Sequence, residues 1–184
     1  MRLDPAAIAF RPLALGDLPR LHAWFQAPHV VPWFGERTLE DVVEEYTEYI
    51  ERRVPIEALV VELDARPIGM VSWGRFGDFS EMMRGYEVDD ASAANCDVLL
   101  GEPDVIHRGL GAPLLVRFLR AHVFADPRTT QCIIDPHAEN VIAIRAYAKA
   151  GFRPLRHVND HEDGRLLALM SLRREVVGRE ELGP

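Results

Sequence analysis

From Asn95 onward the chain alternates short β-rich runs with amphipathic ones, and that alternation restricts the possible folds more than any other feature. NCDVLL (Asn95–Leu100) and TQCIID (Thr130–Asp135) read as strands. Between them, Gly109–Phe124 sets Leu110, Leu114, Leu115, Phe118 and Leu119 on one helical side and stops at Asp126-Pro127. A second helix covers Asn140–Ala150. Phe152–Val158 and Leu166–Leu172 then form an antiparallel pair closed by an acidic turn with Asp163-Gly164. This βαβαβ order with a closing strand demands a mixed sheet with helices packed against it.

The first half supplies the rest of that sheet. Ile8–Asp17 reads as an edge strand running into a turn, with Asp17 capping a helix through Gln26 and Pro19 tolerated in its first turn. Pro28–Thr38, which carries Trp33 and Phe34, reads as a loop. Thr38 and Asp41 form a variant capping box opening a helix with an apolar stripe of Val42, Val43, Tyr46, Tyr49 and Ile50, ended by Pro55. Ala58–Leu63 and Ile68–Phe76 form a hairpin joined through Asp64-Ala65-Arg66-Pro67, and a polar stretch follows from Gly77 to Ala94. No repeat or linker interrupts the 184 residues. The expectation is one α/β domain over 1–184, its central sheet mixed and mostly antiparallel, fraying from about residue 177.

Composition removes several classes of function. At 48% hydrophobic and 27% charged the chain is neither disordered nor a low-complexity tail. Cys96 and Cys132 lie in apolar runs and read as buried thiols rather than a disulfide framework. No apolar run reaches the ~18 to 20 residues that span a bilayer, and MRLDPAAIAFRP lacks a signal-peptide core, so a cytoplasmic protein without a membrane partner is expected. The net charge of -8, from 29 acidic and 21 basic residues, speaks against nucleic acid and favours a cationic small molecule.

The chemistry concentrates between Cys96 and Phe152. After the strand ending at Leu100, Ile106-His107-Arg108-Gly109-Leu110-Gly111-Ala112 opens a helix. Glycines two apart let the backbone turn tightly and leave amide N–H groups facing outward at the positive helix end, which suits an anion such as a pyrophosphate. It is no Walker loop, since Gly-Lys-Ser/Thr is missing, and no Rossmann fingerprint, since the third glycine is missing. Asp135-Pro136-His137-Ala138-Glu139-Asn140 follows, then Ala143-Ile144-Arg145-Ala146-Tyr147-Ala148-Lys149-Ala150-Gly151-Phe152. In order and spacing the two elements resemble those of the acetyl-CoA-dependent GNAT N-acetyltransferases. The resemblance implies that the backbone of Val98, Leu99 and Leu100 binds the acetyl carbonyl and pantetheine. It also implies that His107, Arg108, Gly109, Leu110, Gly111 and Ala112 hold the pyrophosphate, Asn140 binds the pantetheine arm, and Tyr147 protonates the departing thiolate. One departure is Ile106, where that superfamily usually has Gln or Arg; backbone donors make up most of such a site.

Within the superfamily the chain resembles the aminoglycoside 6'-N-acetyltransferases, from Trp33-Phe34 through Thr38-Leu39-Glu40-Asp41-Val42, Pro67-Ile68-Gly69, Asp97 and Asp126-Pro127 to Lys149-Ala150-Gly151-Phe152. The implied roles are Asp97 beside the acetylated amine and Asp135 and Asp163 on other polar groups of the drug; Tyr86, Glu87 and Asp89 are candidates for the further acidic and aromatic acceptor residues of that family, and Trp33-Phe34 is either a lid over the acceptor or a core plug. Acyl transfer to an amine needs a neutral nucleophile, a polarised carbonyl and a proton for the thiolate. Asp97 and Tyr147 can meet the proton demands in a direct transfer within a ternary complex. Cys96 neighbours Asp97 on an alternating strand and should face the other way, which removes it as an acyl carrier. His157 and His161 flank Asp160 at a metal-like spacing but sit at a hairpin turn, so solvated side chains and no metal are expected. Two alternatives remain: a siderophore-pathway lysine N-acyltransferase, and a non-catalytic binder of CoA or of a cationic drug. Either a monomer or a homodimer is compatible with the sequence.

Overall fold

The computed structural model describes residues 4–78, 88, 90–160 and 163–177. Tyr86, Glu87 and Asp89 lie outside the described residues. The strands are β1 (Ile8–Pro12), β2 (Glu57–Leu63), β3 (Arg66–Arg75), β4 (Ala93–Leu100), β5 (Gln131–Ile134), β6 (Arg153–Asn159) and β7 (Leu166–Arg173). They form a seven-stranded sheet in the order β1-β2-β3-β4-β5-β7-β6. The pairs β1–β2, β2–β3, β5–β7 and β6–β7 are antiparallel and β4–β5 is parallel, which is the expected mixed sheet. The chain divides into two compact units, Met1–Trp73 with Asp97–Leu110, and Gly74–Cys96 with Gly111–Pro184.

In the first unit the helices are α1 (Leu18–Phe25), α2 (Val31–Phe34) and α3 (Leu39–Ile50). Leu18, Leu21, Trp24 and Phe25 of α1 and Val42 and Tyr46 of α3 share one core with Val60, Met70 and Leu99 from the strands. The capping box of α3 forms as expected: Thr38 Oγ1 accepts the Asp41 N–H at 3.1 Å, and Asp41 Oδ2 accepts the Thr38 N–H at 2.8 Å. The hydrogen bonds from Thr38 also hold the Asp41 carboxyl below its ordinary pKa. Four expectations need correction. Asp17 makes no side-chain cap bond to α1, because its carboxylate is taken by Arg11 Nη1 and Nη2 at 2.7 Å each and by the Ala14 N–H. Trp33 and Phe34 lie in the short helix α2 rather than a loop, seeded by Pro32 in its first turn. Val43 is exposed, so the stripe of α3 is narrower than the sequence suggests. The same helix ends at Ile50, ahead of Pro55, where Arg52 takes φ 56°.

The hairpin turn between β2 and β3 is Asp64-Ala65, both left-handed, with φ 52° and 62°. That geometry matches the right-handed strand twist, and it normally recruits Asn-Gly or Asp-Gly because a Cβ is crowded there. Ala65→Gly is therefore expected to stabilise the protein by roughly 0.5 to 1 kcal/mol, after allowing for the added freedom of the unfolded chain. The measurement is the urea midpoint, which should rise with an unchanged m-value.

In the second unit α4 (Gly111–Ala121) buries Leu114, Leu115, Phe118 and Leu119. The crossover between the first half of β4 and the parallel β5 sets Ala94 opposite Cys132. A small cluster joins Phe76, Val88, Ala93 and Ile133. Helix α5 (Val141–Lys149) precedes β6, and a short helix α6 (Arg174–Val177), not expected from the sequence, follows β7. Arg120 donates to the Val177 carbonyl at 2.8 Å, which ties α6 to α4, and Val177 is buried. Both cysteines are buried thiols, as their apolar surroundings imply. Among the described residues no helix is long and apolar enough to cross a membrane.

Candidate active site

In the first unit the period of two along each strand places Asp97. Met70 of β3 and Leu99 of β4 both enter the core under α1 and α3. Two residues along on the same faces stand Ser72 and Asp97, at the margin of that core, and Ser72 Oγ donates to Asp97 Oδ2 at 3.3 Å. Cys96, one residue back, is buried while Asp97 is exposed, so the thiol faces away from the carboxylate as expected. Tyr46 and Tyr49 approach from α3 with their rings 5.1 Å apart. Burial, with the negative charges of Glu45 and Asp97, raises both phenols above their ordinary pKa and keeps them neutral. Tyr49 donates its proton to Glu45 Oε1 at 2.6 Å, and Glu45 also pairs with Arg37. Trp33 is half-buried on α2, and the neighbouring Phe34 packs edge-on against Phe25 at 5.8 Å. A carboxylate held by a hydroxyl and accompanied by neutral phenols and a second carboxylate is chemically suited to bind a cation and take up a proton.

The loop that leaves β4 is clamped at its root. Trp24 Nε1 donates to Glu102 at 2.9 Å, and Arg66 bonds both Glu102 and Asp104 at 2.8 Å and less. His29 Nε2 lies 3.0 Å from the Leu100 carbonyl, and the Val98 and Leu100 side chains are half-buried. Further along, His107 (φ 59°) and Gly109 (φ 79°) take left-handed conformations, and His107, Arg108 and Gly109 are exposed while Leu110 is buried. Alternating left-handed residues make the loop concave, and the exposed Arg108 adds positive charge, so these residues fit an anionic group such as a pyrophosphate.

In the second unit Gly111 starts α4 where a Cβ would come within 3.2 Å of Ala146 Cβ on α5, so the missing side chain permits close helix packing. Ala112 beside it is half-buried. Asn140 is the N-cap of α5: its Oδ1 accepts the Ala143 N–H at 3.1 Å, which leaves the amide NH₂ as the part that a ligand could use. Tyr147 is half-buried with its ring 6.1 Å from that of Phe152. Asp135, just past β5, accepts from Asn95 Nδ2 at 3.3 Å. Asp163 is exposed in the β6–β7 turn and accepts the Arg165 N–H at 2.8 Å. Ligand-type atoms of His137, Asp160 and Asp163 lie within 4.8 Å of one another. His157 is exposed on β6, the solvated position expected for it, and His161 lies outside the described residues. Reading the sequence missed Ser72, Asn95 and His137, and took Tyr46 and Tyr49 only as core. Their hydroxyls on a largely apolar stripe, three residues apart, were the available sign.

Residues 14–160 match the family model of the acetyltransferase (GNAT) domain. The chain belongs to the GNAT acetyltransferase family. This acetyltransferase is 32% identical over 151 residues to the aminoglycoside N(6')-acetyltransferase type 1 of Klebsiella pneumoniae, a match covering 79% of this chain and 74% of that protein. Its fold is similar to aminoglycoside acetyltransferase AAC(6')-Ib solved with coenzyme A and kanamycin: TM-score 0.83, 30% identity, 95% of this chain and 99% of that one. The same enzyme solved with ribostamycin and coenzyme A gives TM-score 0.85 at 26% identity, over 97% and 99% of the two chains. The protein is thus an acetyl-CoA-dependent N-acetyltransferase.

Proposed function

We propose that this acetyltransferase moves the acetyl group of acetyl-CoA directly onto the 6'-amine of an aminoglycoside. The co-substrate supplies an activated thioester. Asp97 binds the ammonium and receives its proton, directly or through water, so that the neutral amine can attack. Tyr147 holds a proton for the sulfur. Backbone amides of Val98, Leu99 and Leu100 receive the acetyl and pantetheine carbonyls, and Asn140 adds a donor to the arm. Residues 107–112 hold the pyrophosphate. Trp33, Tyr86, Glu87, Asp135 and Asp163 receive the rest of the polycation, each carboxylate adding attraction and orientation.

The observation that carries this reading is the likeness over 95% of the chain to an acetyltransferase solved with coenzyme A and kanamycin. Asp97 agrees with it: an exposed carboxylate, fixed by a buried hydroxyl, is suited to receive an amine. The test is thiol release from acetyl-CoA with aminoglycosides that carry a 6'-amine and with their 6'-hydroxyl counterparts. Turnover is expected for the amines alone, with product mass raised by one acetyl group. Absence of turnover on every 6'-amino compound overturns the reading.

A further inference from the structure

We propose that Ser72 is a positioning residue for acetyl transfer, its hydroxyl holding the Asp97 carboxylate in the orientation that receives the proton of the acceptor amine. This rests on the reading of Asp97 as the proton acceptor. Ser72 is 5% exposed and is one of two buried polar side chains among the described residues. A buried hydroxyl on a core-facing strand position is costly unless it is partnered, and valine or alanine would fill β3 beside Met70 and Val71 at no such cost. Its partner is Asp97 Oδ2 on the adjacent strand, at 3.3 Å. Because that bond engages one carboxylate oxygen, it restrains the rotation of the group, so the direction in which the carboxylate meets a donor depends on Ser72. The proton of Tyr49 is committed to Glu45, so that phenol does not compete with Ser72 for the carboxylate. Ser72 touches neither reacting atom; it acts through Asp97.

Single-turnover acetyl transfer to kanamycin, acetyl-CoA affinity by calorimetry, and melting midpoints should be compared for Ser72→Ala, Ser72→Cys, Ser72→Thr and Asp97→Asn. Ser72→Ala is expected to slow transfer about tenfold with acetyl-CoA affinity within about twofold, and Ser72→Thr, which restores the hydroxyl, to recover most of the rate. Ser72→Cys keeps the volume with a weak donor; it should be as slow as the alanine variant, and it carries the test should that variant not fold. Wild-type rates in the alanine or cysteine variant, or an equal loss in a threonine variant that melts like wild type, overturn the role of Ser72. If Asp97→Asn itself transfers at the wild-type rate, it is the reading of Asp97 that fails. If that variant is slow while Ser72→Ala is not, only the positioning role fails.

Discussion

Asp97→Asn is expected to slow acetyl transfer by about two to three orders of magnitude while acetyl-CoA affinity stays within about threefold. Asparagine keeps the size of the side chain, and its carbonyl oxygen can still accept from Ser72, so the margin of the α3 core should hold its shape. What is lost is the charge that draws an ammonium and the base that takes its proton. An aliphatic ammonium near neutral pH is overwhelmingly protonated, and only the neutral amine attacks a thioester. The deficit should therefore shrink as pH rises, because more amine arrives already deprotonated. Thiol release across pH 6.5 to about 9.5, with calorimetric titration of acetyl-CoA, checks both halves. Loss of acetyl-CoA binding, or a deficit that does not change with pH, would show that Asp97 serves another purpose.

The parts of this acetyltransferase legible in its sequence were those whose cause is local. The Thr38-Asp41 box closes within one turn and needs nothing from elsewhere. The run from β4 through the glycine loop to α4 also reads directly, since left-handed residues and a helix start leave local marks. Where distant groups decide, the reading failed. Asp17 has the composition of an N-cap, but Arg11 on β1 claims its carboxylate, and a stronger charge-assisted pair displaces the weaker capping bond. Ser72 and Asn95 acquire partners through tertiary placement, 25 and 40 residues away, and nothing in their immediate surroundings announces it. The Asp64-Ala65 turn was placed without its two-residue form, because Ala65 lacks the glycine signal that such turns usually carry. His137 is remote in sequence from Asp160 and Asp163, so no local spacing joins the three.

Tyr147→Phe isolates the other proton transfer, and a loss of about 10²-fold in acetyl transfer is expected from it, with acetyl-CoA affinity nearly unchanged. Phenylalanine keeps the ring that packs 6.1 Å from Phe152, and it sits in the last turn of α5, whose N-cap at Asn140 is untouched, so the helix should not shift. Only the hydroxyl is removed. If that hydroxyl delivers the proton to sulfur, its worth depends on how badly the leaving thiolate needs one. An acyl donor whose thiol has a pKa well below the ~8.5 of an ordinary thiol leaves readily as the anion. The variant should then lose far less against wild type with such a donor than with acetyl-CoA. A merely structural tyrosine would slow both donors alike. Comparing the two ratios thus separates proton delivery from packing, and an undiminished rate with acetyl-CoA itself would assign the proton to water.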